Sequence, residues 1–168
     1  MVNRSQKKKQ SGLAIVGIVA AIVFVVDQLT KIWIVHVLDL KTRLAIDVLP
    51  PFLNLRMAWN YGINFGLLAG EAPATRWILI SVALGIVLFV LVWMRRDPPT
   101  GLGLISGGLL IGGALGNVVD RVLYGAVADF LNVSCCGIDN PFAFNVADIA
   151  IFAGALGLVL FPGTKNAS

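Results

Sequence analysis

The sequence predicts an all-α integral membrane protein: four transmembrane helices, with a small β element in the extracytoplasmic segment between the first and second spans. Three observations predict it. Hydrophobic residues make up 58% of the 168 and charged residues only 13%. The apolar residues stand in long blocks, and four of these are candidates for crossing roughly 30 Å of hydrocarbon, which takes about 18 or more residues of helix. Positive charge stands directly beside the blocks, as Arg4, Lys7, Lys8 and Lys9 before the first and Arg95-Arg96 after the second. Almost nothing is left for a soluble domain, so residues 1–168 read as one membrane domain. The formal net charge of +4 is flanking charge on the cytoplasmic side and gives no reason to expect nucleic acid.

Residues 1–11 read as a polar, basic, disordered cytoplasmic tail. The first span covers about 12–36. A basic start before an apolar run resembles a secretory signal, but the run resumes after Lys31 and no small-x-small cleavage site appears, so the span is expected to stay uncleaved. Asp27 and Lys31 lie four apart and share a helix face, where they pair or where Asp27 turns inward to support other polar groups.

Residues 37–74 form the extracytoplasmic segment. Pro50-Pro51, several glycines and short alternating runs such as FLNLRMAW favour small strands and turns over helix. Its apolar content places it against the membrane surface or over the mouth of the bundle, with Trp59 and Tyr61 at headgroup level, and GLLAGEA suits an interfacial turn of helix. The second span, about 75–94, is uniformly apolar scaffold stopped by Arg95-Arg96-Asp97-Pro98-Pro99.

The third span, about 101–123, is rich in glycine, and Gly108, Gly112 and Gly116 recur every fourth residue, which lets a neighbouring helix approach closely. At its outer end Asn117, Asp120 and Arg121 share a face. They suit a buried polar clasp, with Arg121 pairing Asp120 or an upstream acid, as well as they suit a site. Gly125 then interrupts the helix, and AVADF has the shape of a short strand or turn. The fourth span, about 142–162, has Asn145 and Asp148 on one face of its first turns, and the tail TKNAS returns to the cytoplasm.

This topology brings Asp129 and Asp148 to the same side of the membrane at similar depth. Two carboxylates in a poorly hydrated place do not readily both ionise, so the pair shares a proton, and one can take a proton from water while the other donates to a carbonyl oxygen. Ser81 and Ser106 lack a base, and adjacent Cys135 and Cys136 make neither an ordinary disulfide framework nor a metal spacing. No metal or other cofactor is therefore expected. On the residues alone, an aspartic peptidase and a small proton- or ion-coupled membrane carrier using the aspartate pair both stay open, with a purely structural subunit as the third reading.

Five stretches carry a resemblance: DQLTK at Asp27–Lys31, FLNLRMAWNYGINFGLL at Phe52–Leu68, GNVVDR at Gly116–Arg121, GAVADF at Gly125–Phe130 and FNVADIAI at Phe144–Ile151. In this order, across about residues 12–162, the chain resembles the bacterial lipoprotein signal peptidases, or signal peptidase II. The resemblance implies an inner-membrane aspartic endopeptidase that removes the signal peptide from a diacylglyceryl-modified prolipoprotein by cutting just before the lipidated cysteine. It implies Asp129 and Asp148 as the catalytic dyad, and Asp27, Asn54, Asn60, Gly62, Asn117, Asp120, Arg121 and Asn145 as supporting or substrate-binding positions. It further implies a small extracytoplasmic β-cradle with a flap over the site, both termini in the cytoplasm and an active site near the extracytoplasmic face. The expected partners are the prolipoprotein and membrane lipids, and the expected state is a monomer. Asn64 stands where the family usually has a small residue, and the Cys135-Cys136 connector belongs to none of its motifs. No cysteine lies near the N-terminus, so the chain is not expected to be a lipoprotein itself.

Overall fold

A computed structural model describes residues 4–62, 73–99, 101–135 and 140–162, with side chains from residue 11 and, after the first gap, from residue 74. Asn64, Cys136, the GLLAGEA stretch and the TKNAS tail lie outside the described residues. The elements in chain order are α1 (Arg4–Lys31), a π-helical segment (Ile32–Val37), α2 (Leu40–Arg43), β1 (Ala45–Leu49), β2 (Leu53–Asn60), α3 (Pro73–Arg96), α4 (Leu102–Tyr124), β3 (Val127–Val133) and α5 (Val146–Leu160).

Three of the helices are long and apolar enough to cross a membrane: Ser11–Val37, Ala74–Arg96 and Leu102–Tyr124. The first begins earlier than its apolar run. Residues 4–10, expected to be disordered, are helical, and Lys, Gln and Arg are good helix formers that extend a helix already nucleated by the apolar run. The fourth expected span is shorter than 142–162. Its helix has 15 residues, about 22 Å at 1.5 Å per residue, because Phe144 pairs with β3 and Asn145 caps the helix behind it.

The helix α4 is central, packing against α1, α3 and α5. Val16 and Ala20 of α1, Val87, Val90 and Met94 of α3, Leu110, Ile111 and Ala114 of α4 and Leu158 of α5 form one apolar core. The far sides of α1 and α3 present Ile18, Ile22, Leu29, Leu88 and Phe89 outward, as side chains facing acyl chains do. The spaced glycines let α4 sit close to α1. Toward the C-terminal end of α4 this contact becomes polar: a Cβ on Gly116 would lie 2.5 Å from the Asp27 carboxylate, so only glycine lets Asp27 reach under α4.

The segment between α1 and α3 contributes two strands of an antiparallel sheet in the order β1-β2-β3. Strands β1 and β2 are the hairpin expected between the first two spans. The third strand comes from beyond α4, where AVADF runs on as β3, so the sheet ties that loop to the hairpin. Its residues Leu55, Ala128 and Phe130 form one apolar cluster with Val35 and Leu40. Trp59 stacks against Tyr124 at the end of α4, with ring centroids 5.8 Å apart.

Candidate active site

Asp148 is fixed by the start of α5. Asn145 is in an extended conformation, and its side chain accepts a hydrogen bond from the Asp148 amide at 2.9 Å, while the Asp148 carboxylate accepts from the Asn145 amide at 3.2 Å. This reciprocal cap satisfies two backbone donors that the first turn would otherwise leave open. The other Asp148 oxygen accepts from Asn117 Nδ2 at 2.9 Å.

Asp129 lies on β3, and a β-bulge decides what faces it. Leu55 pairs with Leu131, but Ala58 pairs with Asp129, so three steps along β2 match two along β3. One extra residue reverses the alternation of side chains beyond it. Asn60, rather than Trp59, therefore shares the Asp129 face and donates to its carboxylate at 3.1 Å. The Oδ1 of Asn60 accepts in turn from Gly62 N at 3.1 Å, which orients the amide. Gly62 has φ +132°, and a Cβ there would also approach Leu79 to 2.8 Å, so both backbone and space require glycine.

Asn145 joins the two halves. Its Nδ2 donates to Asp129 Oδ1 at 2.6 Å while its cap holds Asp148. Behind it, Asn117 Oδ1 accepts from Asn145 and from Lys31, each at 3.3 Å. Lys31 is buried between two carboxylates, 2.7 Å from Asp27 and 2.8 Å from Asp120. Gln28 donates to both acids at 3.1 Å.

Of the ten residues singled out from the sequence, nine lie in or directly behind this constellation. Asn54 does not reach it. It pairs in register with Asn132, beyond the bulge from Asp129, and its amide donates to Pro51 O at the hairpin turn. The expected Arg121–Asp120 pair is replaced by Lys31–Asp120. Arg121 donates instead to the Asn117 carbonyl and stays within electrostatic reach of Asp148, Asp129 and Asp120. Sequence reasoning gave Lys31 only one partner and gave Gln28 none, although DQLTK sets Gln28 next to Asp27 and Lys31 one turn on.

Burial, and then the neighbouring charge of Asp148, push the Asp129 carboxyl up to about 6, opposed by the Asn60 and Asn145 hydrogen bonds and the Lys31 charge. Arg121 is the other charge facing this pair. A raised carboxyl means the folded protein holds this proton more tightly than the unfolded chain does, so its contribution to stability is present below the ordinary carboxylate range and is lost as pH rises through about 6. The one-proton state of the pair is lost over the same rise. The pH profile of kcat/KM should accordingly fall on its alkaline side near pH 6. A profile flat from about pH 5 to 8 would contradict the coupling.

An apolar helical membrane body with two acids linked at its polar end defines a membrane enzyme of the aspartic peptidase class. The comparisons agree. A family model described as signal peptidase (SPase) II matches residues 19–162. The lipoprotein signal peptidase of Nitrobacter hamburgensis is 42% identical over 147 residues, covering 85% of this chain and 88% of the relative, and that of Shewanella amazonensis is 38% identical over 161, covering 95% and 92%. A bacterial membrane enzyme solved by the in meso method at 1.9 Å superimposes with a TM-score of 0.70 at 28% identity, covering 85% of this chain and 88% of that one. The chain belongs to the signal peptidase II family. It is a multi-pass bacterial membrane protein and an aspartic protease, and the carrier reading finds no support in these matches.

Proposed function

We propose that Asp129 and Asp148 are the catalytic dyad with which this chain removes the signal peptide of a diacylglyceryl-modified prolipoprotein, cutting just before the lipidated cysteine. The observation that carries the reading is Asn145, one residue bonded to both carboxyls, to Asp129 through its side chain and to Asp148 through its backbone amide. With one proton on the pair, the ionised carboxylate takes a proton from a water as its oxygen attacks the scissile carbonyl, and the protonated carboxyl donates to the carbonyl oxygen. The tetrahedral intermediate, a gem-diol, collapses when the amide nitrogen takes a proton from the carboxyl that had accepted one from water, the C–N bond breaks, and a gem-diol hydroxyl returns a proton to the other carboxylate, which restores the one-proton dyad.

The other family positions take supporting places. Asn60 and Gly62 hold Asp129 from the sheet, Asn117 and Asn145 hold Asp148, and Asp27 and Asp120 anchor the base of the site. Arg121 is placed to grip substrate carbonyls. Asn54 secures the hairpin, the cradle and flap that exclude water over a bound substrate.

In this reading the chain is a single membrane domain, a monomer in the inner membrane, surrounded by lipid that delivers the substrate sideways. The extended residues 140–145 and α5 together make the fourth span. Both termini are cytoplasmic, because the basic cluster before α1 and Arg95-Arg96 after α3 mark the same side, and the dyad lies near the extracytoplasmic face.

One experiment tests substrate and sidedness together. Cells overproducing the chain in a background lacking this activity are converted to spheroplasts and to sealed inverted vesicles, and each is given a charged, membrane-impermeant synthetic peptide bearing a diacylglyceryl cysteine. Cleavage before that cysteine, mapped by mass spectrometry, is expected in spheroplasts and not in sealed inverted vesicles. Cleavage confined to inverted vesicles would overturn the sidedness, and no cleavage in either preparation or after detergent release would overturn the substrate.

A further inference from the structure

Each carboxylate flanking Lys31 also holds one backbone amide. Asp27 Oδ1 accepts from Ala147 N at 3.0 Å, and Asp120 Oδ2 accepts from Ala128 N at 3.2 Å. Ala147 immediately precedes Asp148, and Ala128 immediately precedes Asp129. The two acids therefore grip the chain one residue ahead of each member of the dyad, on two elements that meet there from opposite sides.

Lys31 is what connects the grips. Its ammonium lies 2.7 Å from Asp27 and 2.8 Å from Asp120, and it also donates to Asn117 Oδ1, whose amide holds Asp148. All three ionic groups are buried, with side chains at most 7% exposed. An ammonium between two carboxylates sets their separation within a few tenths of an ångström, because each contact is a short charge-assisted hydrogen bond. We infer that Lys31 is a positioning residue for the dyad, fixing the spacing of Asp129 and Asp148 through the Asp27–Ala147 and Asp120–Ala128 contacts rather than by touching substrate. Its role differs from that of Asn145, which bonds to the carboxyl groups directly. Positioning of this kind acts on the rate, since misplacing a proton-transferring group by about 1 Å costs on the order of 100-fold.

This inference rests on the assignment of Asp129 and Asp148 as the reacting pair, and two variants separate it from that assignment. Lys31→Arg keeps the charge but replaces a point donor by a longer planar one. The double variant Lys31→Met, Asp120→Asn removes the bridge while the charge of the Lys31, Asp27 and Asp120 group stays at −1, since +1 −1 −1 and −1 are equal. Steady-state processing of the synthetic lipopeptide by full-length protein in detergent is expected to show kcat at least about tenfold lower in both, with KM within about twofold and, in Lys31→Arg, which keeps the charge, the alkaline limb of the pH profile unmoved. Variants that fold, by thermal unfolding, and keep kcat within about twofold of wild type would overturn the inference, as would a rise in KM alone. Should the double variant not fold, Lys31→Arg decides. Failure of the dyad assignment looks different: Asp129→Asn or Asp148→Asn would then still cleave, whereas failure of this inference leaves those variants inactive and the Lys31 variants active.

Discussion

Asp129→Asn and Asp148→Asn should each lose at least about 1,000-fold in kcat while remaining folded, because in the proposed mechanism each removes one of two groups that exchange protons in the same step, and such groups contribute roughly 10²–10⁴ each. The double variant should be little worse than either single, since groups acting as a unit are not additive. The folding cost differs between the two. In Asp129→Asn one of the two oxygens that accept from Asn60 and Asn145 becomes a donor, but an ionised carboxylate no longer has to be buried. In Asp148→Asn the capping box keeps an acceptor only if the amide nitrogen faces Asn117 Nδ2, and Asn117 cannot simply flip while Lys31 and Asn145 donate to its oxygen. Asp148→Asn should therefore be the less stable of the two above pH 6, by on the order of 1 kcal/mol. Either folded variant retaining a tenth of wild-type kcat, roughly, would move the chemistry elsewhere.

The second large effect belongs to Asn145, where stability and rate can be separated. Asn145→Ala removes the α5 cap, worth about 1 kcal/mol, and leaves Asp129 without its shortest hydrogen bond, worth a further ~1.5–3 kcal/mol for a bond to a charged group. Thermal unfolding should register this loss, and kcat should fall by roughly 100-fold because Asp129 keeps only its Asn60 contact and the first turn that carries Asp148 loses its side-chain cap. Asn145→Ser restores an oxygen for the Asp148 amide but offers no Nδ2 to Asp129. It should recover the capping part of the stability and little of the rate. Wild-type kcat in Asn145→Ser would show that the cap alone matters and that the link to Asp129 does not.

Much of this arrangement was legible in the sequence, for physical reasons that differ by residue. The long apolar blocks marked the membrane helices because length and composition alone decide that question. Asp129 and Asp148 stood out because acids beside apolar runs are costly, and the order of the apolar runs put both between the third and the fourth of them. The bulge in β2 was not legible: nothing in LNLRMAWN says that three residues will match two of β3, and without it Trp59 would take the place of Asn60. Asn54, named from the family resemblance alone, pairs with Asn132 on the other side of that irregularity from Asp129. Lys31 was visible only as the i, i+4 partner of Asp27, since a helix pattern reports neighbours on its own helix and not an acid 89 residues later in the chain at Asp120. The start of α5 moved from 142 to 146 because a pairing between Phe144 and β3, a long-range contact, overrides local apolarity.

That pairing has one more consequence. Phe144 exchanges backbone hydrogen bonds with Leu131 at 2.8 and 3.0 Å and also accepts from Phe130 N at 3.1 Å, while Asn132 Nδ2 binds the carbonyls of Asn140 and Phe142. The chain leaving β3 is thus stitched back to it before α5 begins, and the spacing of the two acids is settled inside the stitch. Phe144 is held to β3 one residue ahead of the Asn145 cap, so the separation between the strand that carries Asp129 and the first turn of α5, which carries Asp148, is set by backbone pairing as well as by side chains, and a substitution that keeps the backbone pairing leaves that separation in place.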